Sequence, residues 1–132
     1  LKYYIPAQIS GCLFGVMLAN VFFEHAILEL STKNRDGLHI FFSEIIATFG
    51  LIFVIFATLK DGKTIVAISV ATYISAGYWF TSSTSFANPA VSIARTFTDS
   101  FTGINYLNTP TYILAEFIGL ILAAYILKII YK

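Results

Sequence analysis

The residues best placed to do chemistry are Asn88-Pro89-Ala90, set in Ser85-Phe86-Ala87-Asn88-Pro89-Ala90-Val91-Ser92-Ile93-Ala94-Arg95. Asn is a strong N-cap residue, and Pro fits the first helical position, where its missing N–H costs nothing. The apolar stretch that follows, about Pro89 to Thr98, predicts a helix of roughly 15 Å, half the hydrocarbon thickness of a bilayer. Such a helix cannot span. Its N-terminus would place unpaired backbone N–H groups and the positive end of a dipole at mid-membrane. Backbone in that state is tolerated only where it lines a polar cavity, so the pattern implies a pore or a binding site.

The elements that must position this half-helix are themselves apolar. The chain has 132 residues, 58% hydrophobic and 11% charged, with a mean hydropathy of +0.80, outside the range of soluble globular domains. Four apolar segments, 5–23, 40–59, 64–81 and 110–127, are each long enough to cross a bilayer. They predict a single all-α transmembrane domain over residues 1–132, with four spanning helices and one re-entrant half-helix. Pro6 and Pro110 lie near segment ends, where a helix tolerates them. Four passes put Lys2, Lys60, Lys63, Lys128 and Lys132 on one side; Lys33 and Arg35 fall on the other, with Arg95 in the half-helix. The lysine-rich side is expected to be cytoplasmic, carrying both ends of this chain, in a plasma or inner membrane. Tyr78 and Trp79 then fall near the opposite interface, as belt residues or as packing aromatics. A net charge of +1 gives no basis for nucleic-acid binding.

Other residues capable of chemistry have simpler readings. Cys12 stands alone in an apolar run, which excludes a disulfide framework and predicts a buried thiol. His25 and His39 lack a Cys or carboxylate set at ligand spacing, so neither a metal nor another cofactor is expected. The hydroxyls of Thr81-Ser82-Ser83-Thr84-Ser85 have no base placed to activate them, and read as polar pore lining rather than as a nucleophile. Glu44 and Glu116 are carboxylates within apolar segments, where a charge needs a partner. Arg95 follows Val91 by one helical turn and shares its face. It either reaches back toward the level of Val91 or pairs with Asp99 at an outer mouth. Gly11, Gly15, Gly50 and Gly119 suit close helix packing.

Two segments repeat. Tyr4-Ile5-Pro6-Ala7-Gln8-Ile9-Ser10-Gly11 matches Tyr112-Ile113-Leu114-Ala115-Glu116-Phe117-Ile118-Gly119 at an offset of 108. The charge-based topology sends the two copies in opposite directions, so the repeat is inverted, as in many transport proteins. The counterpart of Glu44 would fall before the first residue, and the chain opens on Leu1 rather than Met. Roughly 70 or more residues of a first half are therefore expected upstream.

Taken together these motifs resemble the major intrinsic protein family, the aquaporins and aquaglyceroporins. The resemblance rests on Asn88-Pro89-Ala90 after a Ser/Thr-rich loop, on Glu44-Ile45-Ile46-Ala47-Thr48-Phe49-Gly50, and on Ala7-Gln8 with Gly11 and Ala115-Glu116 with Gly119. It covers the whole chain, read as the last four of six spanning helices. It implies a right-handed helical bundle with inverted repeats, usually a homotetramer, passing water or small neutral solutes. Asn88 would be one of two pore asparagines donating side-chain N–H bonds to the permeating molecule. Glu44 would accept backbone N–H groups of the re-entrant loop, with Glu116 and Gln8 as further loop supports. The family places an Arg directly after Asn-Pro-Ala to form a narrow filter; here that residue is Val91. With Ser85 and, approximately, Ala76 at other filter positions, the resemblance implies a wide filter admitting glycerol, urea or metalloid hydroxides. A strict water channel, a non-conducting membrane assembly protein and, more distantly, an intramembrane hydrolase are the competing expectations.

Overall fold

The computed structural model describes residues 2–131; Leu1, and Lys132 of the lysine-rich side, lie outside the described residues. Every regular element among them is a helix: α1 (Tyr4–Phe22), α2 (Leu38–Thr58), α3 (Lys63–Phe80), α4 (Pro89–Ala94) and α5 (Thr109–Ile130). Short 3₁₀ turns, Leu59–Asp61 and Arg95–Phe97, follow α2 and α4. Three stretches are long and apolar enough to cross a membrane: Tyr4–Phe22, Leu38–Asp61 and Thr109–Ile130. The fourth expected span does form a helix, α3, yet its sequence is interrupted by Thr72, Tyr73 and Ser75 and falls short on composition. Two of those hydroxyls bond back to carbonyls of the preceding turn, Thr72 to Ile68 and Ser75 to Ala71, so they are satisfied without a partner helix. Many large apolar side chains face outward, among them Phe14, Ile46, Ile68, Trp79 and Ile121. A face of this kind suits lipid or another apolar protein surface. Three such helices suit a chain that crosses a membrane several times.

The chain forms two compact groups of elements. One comprises residues 1–36 and 88–113. In it α1 packs on α4. The last turn of α1 closes through Glu24, held at φ 59°, with His25 N–H on the Asn20 carbonyl and Glu24 N–H on that of Val21. That pair of bonds is a Schellman closure with a glutamate where glycine is usual. The connection 24–36 then lies over the far end of α4. Ser31 N–H bonds the Thr96 carbonyl at 3.0 Å, Asn105 N–H bonds that of Lys33 at 2.8 Å, and Arg35 Nε reaches Gly103 O at 2.8 Å.

The second group comprises residues 37–87 and 114–132. Here α2 packs on both α3 and α5 at glycines. A Cβ on Gly50 would collide with the Tyr73 ring, whose hydroxyl donates to Ala47 O at 3.0 Å. A Cβ on Gly119 would sit 2.6 Å from the Ile45 carbonyl oxygen. Gly11 and Gly15 differ: neither has anything within 4 Å of an added Cβ, so they mark no close approach.

Candidate functional site

The half-helix begins as its sequence requires. Asn88 is extended (φ −159°, ψ 119°), and its Oδ1 accepts the Ala90 N–H at 2.9 Å with Pro89 opening the helix. This cap fixes the amide, its acceptor end turned to the helix and its NH₂ end to the other side. The helix is shorter than expected. Six α-helical residues, Pro89–Ala94, give way to the 3₁₀ turn Arg95–Phe97, and Thr98 is extended at φ −147°. The end is tightened because its last carbonyls bond elsewhere. Arg95 O accepts Ile104 N–H, Thr96 O accepts Ser31 N–H, and Phe97 O accepts the buried Asn20 amide at 3.0 Å. A 3₁₀ last turn with borrowed donors is a regular way to satisfy orphaned carbonyls.

Ahead of Asn88 the backbone is unusual. Thr84, Ser85 and Ala87 all have positive φ, 64°, 52° and 49°, a rare conformation for non-glycine residues and rarest for a β-branched one. Such strain persists only where neighbours over-determine it. Glu44 on α2 does this: fully buried, its Oε1 accepts the Ala87 N–H at 2.5 Å, with the Phe86 N–H and Ser83 hydroxyl turned to the same carboxylate. The Ser82 N–H donates to Ser43 Oγ at 2.9 Å, a second tie from this loop to α2. The serines and threonines of 81–85 thus build the loop as well as making it polar. Ser85 packs against Gly77, where a Cβ would lie 2.6 Å from its Oγ, whereas Ala76 is exposed on α3.

On the other side of Asn88, two cavities border the half-helix within the first group. One of about 230 Å³ is lined by Cys12, Gly15, Val16, Ala19, Val91, Ala94 and Arg95. Cys12 is therefore half-buried at a cavity wall rather than a core thiol. The second, about 420 Å³, shares Val16, Ala19 and Arg95 and adds Asn20, Phe23, His25, Thr98, Ser100, Phe101 and Thr102.

One curated relative resolves what kind of protein carries this arrangement. The chain is 41% identical over 125 residues, 95% of its length, to aquaglyceroporin AqpS of Rhizobium meliloti (strain 1021). Over nearly its whole length the chain is therefore similar to a member of the major intrinsic protein family. It spans about half the length of that relative, 54%. No protein-family model matches the chain, and no solved structure matches it.

Several expected site residues sit differently from their sequence reading. Arg95 does not pair with Asp99. Its Nη1 donates to the Thr102 hydroxyl, while Asp99 accepts the Thr32 N–H at 2.8 Å and the hydroxyls of Thr32 and Ser31. Those donors, the Thr32 N–H foremost, hold the Asp99 carboxyl below the ordinary aspartate range. Gln8 bonds the Tyr4 hydroxyl one turn back on its own helix, at 3.2 Å. Its repeat counterpart Glu116 is buried on α5, and Tyr112 is 2% exposed where Tyr4 is 63% exposed. The two copies of the repeat therefore live in different surroundings. Asn20, Thr102 and the Asp99 clamp escaped the sequence reading. The Asn20 amide, set late in the apolar run of α1, was the one available signal, and the loop bonds have none.

Proposed function

We propose that this chain forms part of a passive membrane channel for water and small uncharged solutes, with a filter wide enough for glycerol, urea or metalloid hydroxides. The observation that carries the reading is the Asn88 cap. It fixes an amide donor and the positive end of a helix dipole at the start of a helix too short to span. A neutral solute can exchange water hydrogen bonds for that donor, while a cation meets the dipole head-on and low-dielectric walls. The relative's name supports the choice of solute class. So does the side-chain chemistry: Val91 stands where a filter Arg is usual, and Ala76 and Ser85 are small. On this reading Asn88, Pro89, Ala90 and Val91 line the path, Ser85 and Ala76 flank it, and Glu44 and Glu116 support the loops. Gln8 keeps such a role only if it exchanges Tyr4 for another partner. The working form is a homotetramer in a plasma or inner membrane, with both ends of this chain cytoplasmic.

Stopped-flow light scattering on vesicles carrying the full-length protein tests this reading. Val91→Arg should cut glycerol flux about tenfold or more, from the charge and bulk added at a desolvated constriction, and water flux far less. An unchanged glycerol-to-water ratio would overturn the wide filter.

A further inference from the structure

In the second group of elements α2 stops, α3 starts and α5 stops at one shared end. Phe56 near the end of α2 lines a groove of about 430 Å³ with Ala124, Leu127, Lys128 and Tyr131 of the last turns of α5. A further groove, about 290 Å³, runs between Leu59 and the first turns of α3, along Lys63, Val66, Ala67 and Val70. Each groove follows a single helix face, because positions 124, 127, 128 and 131, like 63, 66, 67 and 70, recur at the spacing that stacks side chains in one stripe. Such a stripe is about 10 Å long. Both grooves are apolar except at the outer end, where Lys63 opens one and Lys128 with Tyr131 closes the other. Leu38–Asp61 and Thr109–Ile130 are long and apolar enough to cross a membrane, so their ends fall at the depth of phospholipid headgroups. Lys60, Lys63 and Lys128 are exposed there, and none has an ion-pair partner among the described residues. Asp61 is the one carboxylate of the intervening turn.

We infer that this end is a docking surface for anionic phospholipid, with acyl chains in the two grooves and headgroup phosphates on Lys63 and Lys128. A lysine suits that place because its stem lies along an apolar wall while its ammonium reaches the headgroup level. Tyr131 is amphipathic in the same way, its ring against the chain and its O–H toward the headgroup. Exposed Ala67 and Ala124 leave both slots open along their length. A protein partner would have to bring its own carboxylates to these lysines, whereas a bilayer holds phosphate at this depth already. A zwitterionic headgroup carries its own cation and gains less from a lysine than an anionic one does. The surface requires only that the chain spans a membrane, and it stands whether or not the pore conducts.

Native mass spectrometry of the purified full-length protein, in detergent holding equal phosphatidylglycerol and phosphatidylcholine, reads which lipid is retained. The parent should keep phosphatidylglycerol over phosphatidylcholine by about fivefold or more, the worth of one lysine near an anionic surface. Lys63→Gln and Lys128→Gln together should bring that ratio near unity; both positions are exposed, so the variant should fold like the parent. Ala67→Phe with Ala124→Phe fills the slots and leaves the charge alone, and should lower retention of both lipids severalfold. Equal retention of the two lipids by the parent, or an unchanged ratio in the lysine variant, would overturn the surface. So would slot-filled variants that hold lipid as the parent does, because the attraction would then be diffuse surface charge. A parent that carries no lipid, and whose oligomer mass falls when the slots are filled, would assign the grooves to a second copy of the chain and overturn the lipid.

Discussion

At the scale of single residues, the site depends on a few buried polar groups held by their neighbours. Glu44 is the clearest. Its carboxylate meets the backbone one residue ahead of Asn88 and holds Ala87 in a left-handed conformation. Glu44→Ala would leave that buried N–H unsatisfied and should cost about 1–3 kcal/mol. Glu44→Gln keeps an acceptor and should cost less. Thermal unfolding in detergent, read by size-exclusion chromatography, separates the two; equal melting of both variants with the parent would remove Glu44 from this role. The importance of Glu44 was legible in the sequence, because a carboxylate in an apolar run must be satisfied. The partners of Arg95 and Asp99 were not, since i+4 spacing pairs the two with each other, while the fold gives Arg95 the Thr102 hydroxyl of the following loop and Asp99 the Thr32 N–H from a distant segment.

Between elements, each of the two groups has its own joint. The first is the close approach of α5 to α2 at Gly119. An added Cβ would meet the Ile45 carbonyl at 2.6 Å and Thr48 Cβ at 2.9 Å, and backbone cannot step aside as a side chain can. Gly119→Ala should therefore destabilise by about 1–3 kcal/mol, as overpacking does, whereas Gly11→Ala should be nearly neutral or stabilising. A melting comparison of the two decides it. Sequence marked all four glycines alike; only the packing distinguishes the pair that touch a neighbour from the pair that do not. The second joint is the Asp99 clamp on Thr32. Its carboxyl titrates below the ordinary aspartate range, so the folded form favours the ionised group. The clamp's contribution is fully present above the unfolded aspartate pKa and is lost as pH falls through the lowered folded value. Hydrogen exchange at the Thr32 amide should stay slow from neutral pH down into the ordinary aspartate range and rise only below it. Asp99→Asn should remove that pH step; an unaltered profile would contradict the assignment.

For the molecule as a whole, the helical architecture and the place of the half-helix follow from hydrophobic run length and from one Asn-Pro pair. Details that needed three dimensions did not. Hydroxyls interrupting α3 lower its apolar character below that of its neighbours. The half-helix ends early because loop donors reach its carbonyls. The central claim is that solute passes by Asn88, and Asn88→Ala tests it most directly. The cap itself is worth about 1 kcal/mol, too little to unfold a helical membrane bundle, so the variant should insert and purify like the parent. Stopped-flow measurement on reconstituted full-length protein should then show water and glycerol permeability both falling to near the level of empty vesicles. Equal protein in the vesicles with both permeabilities unchanged would contradict the account.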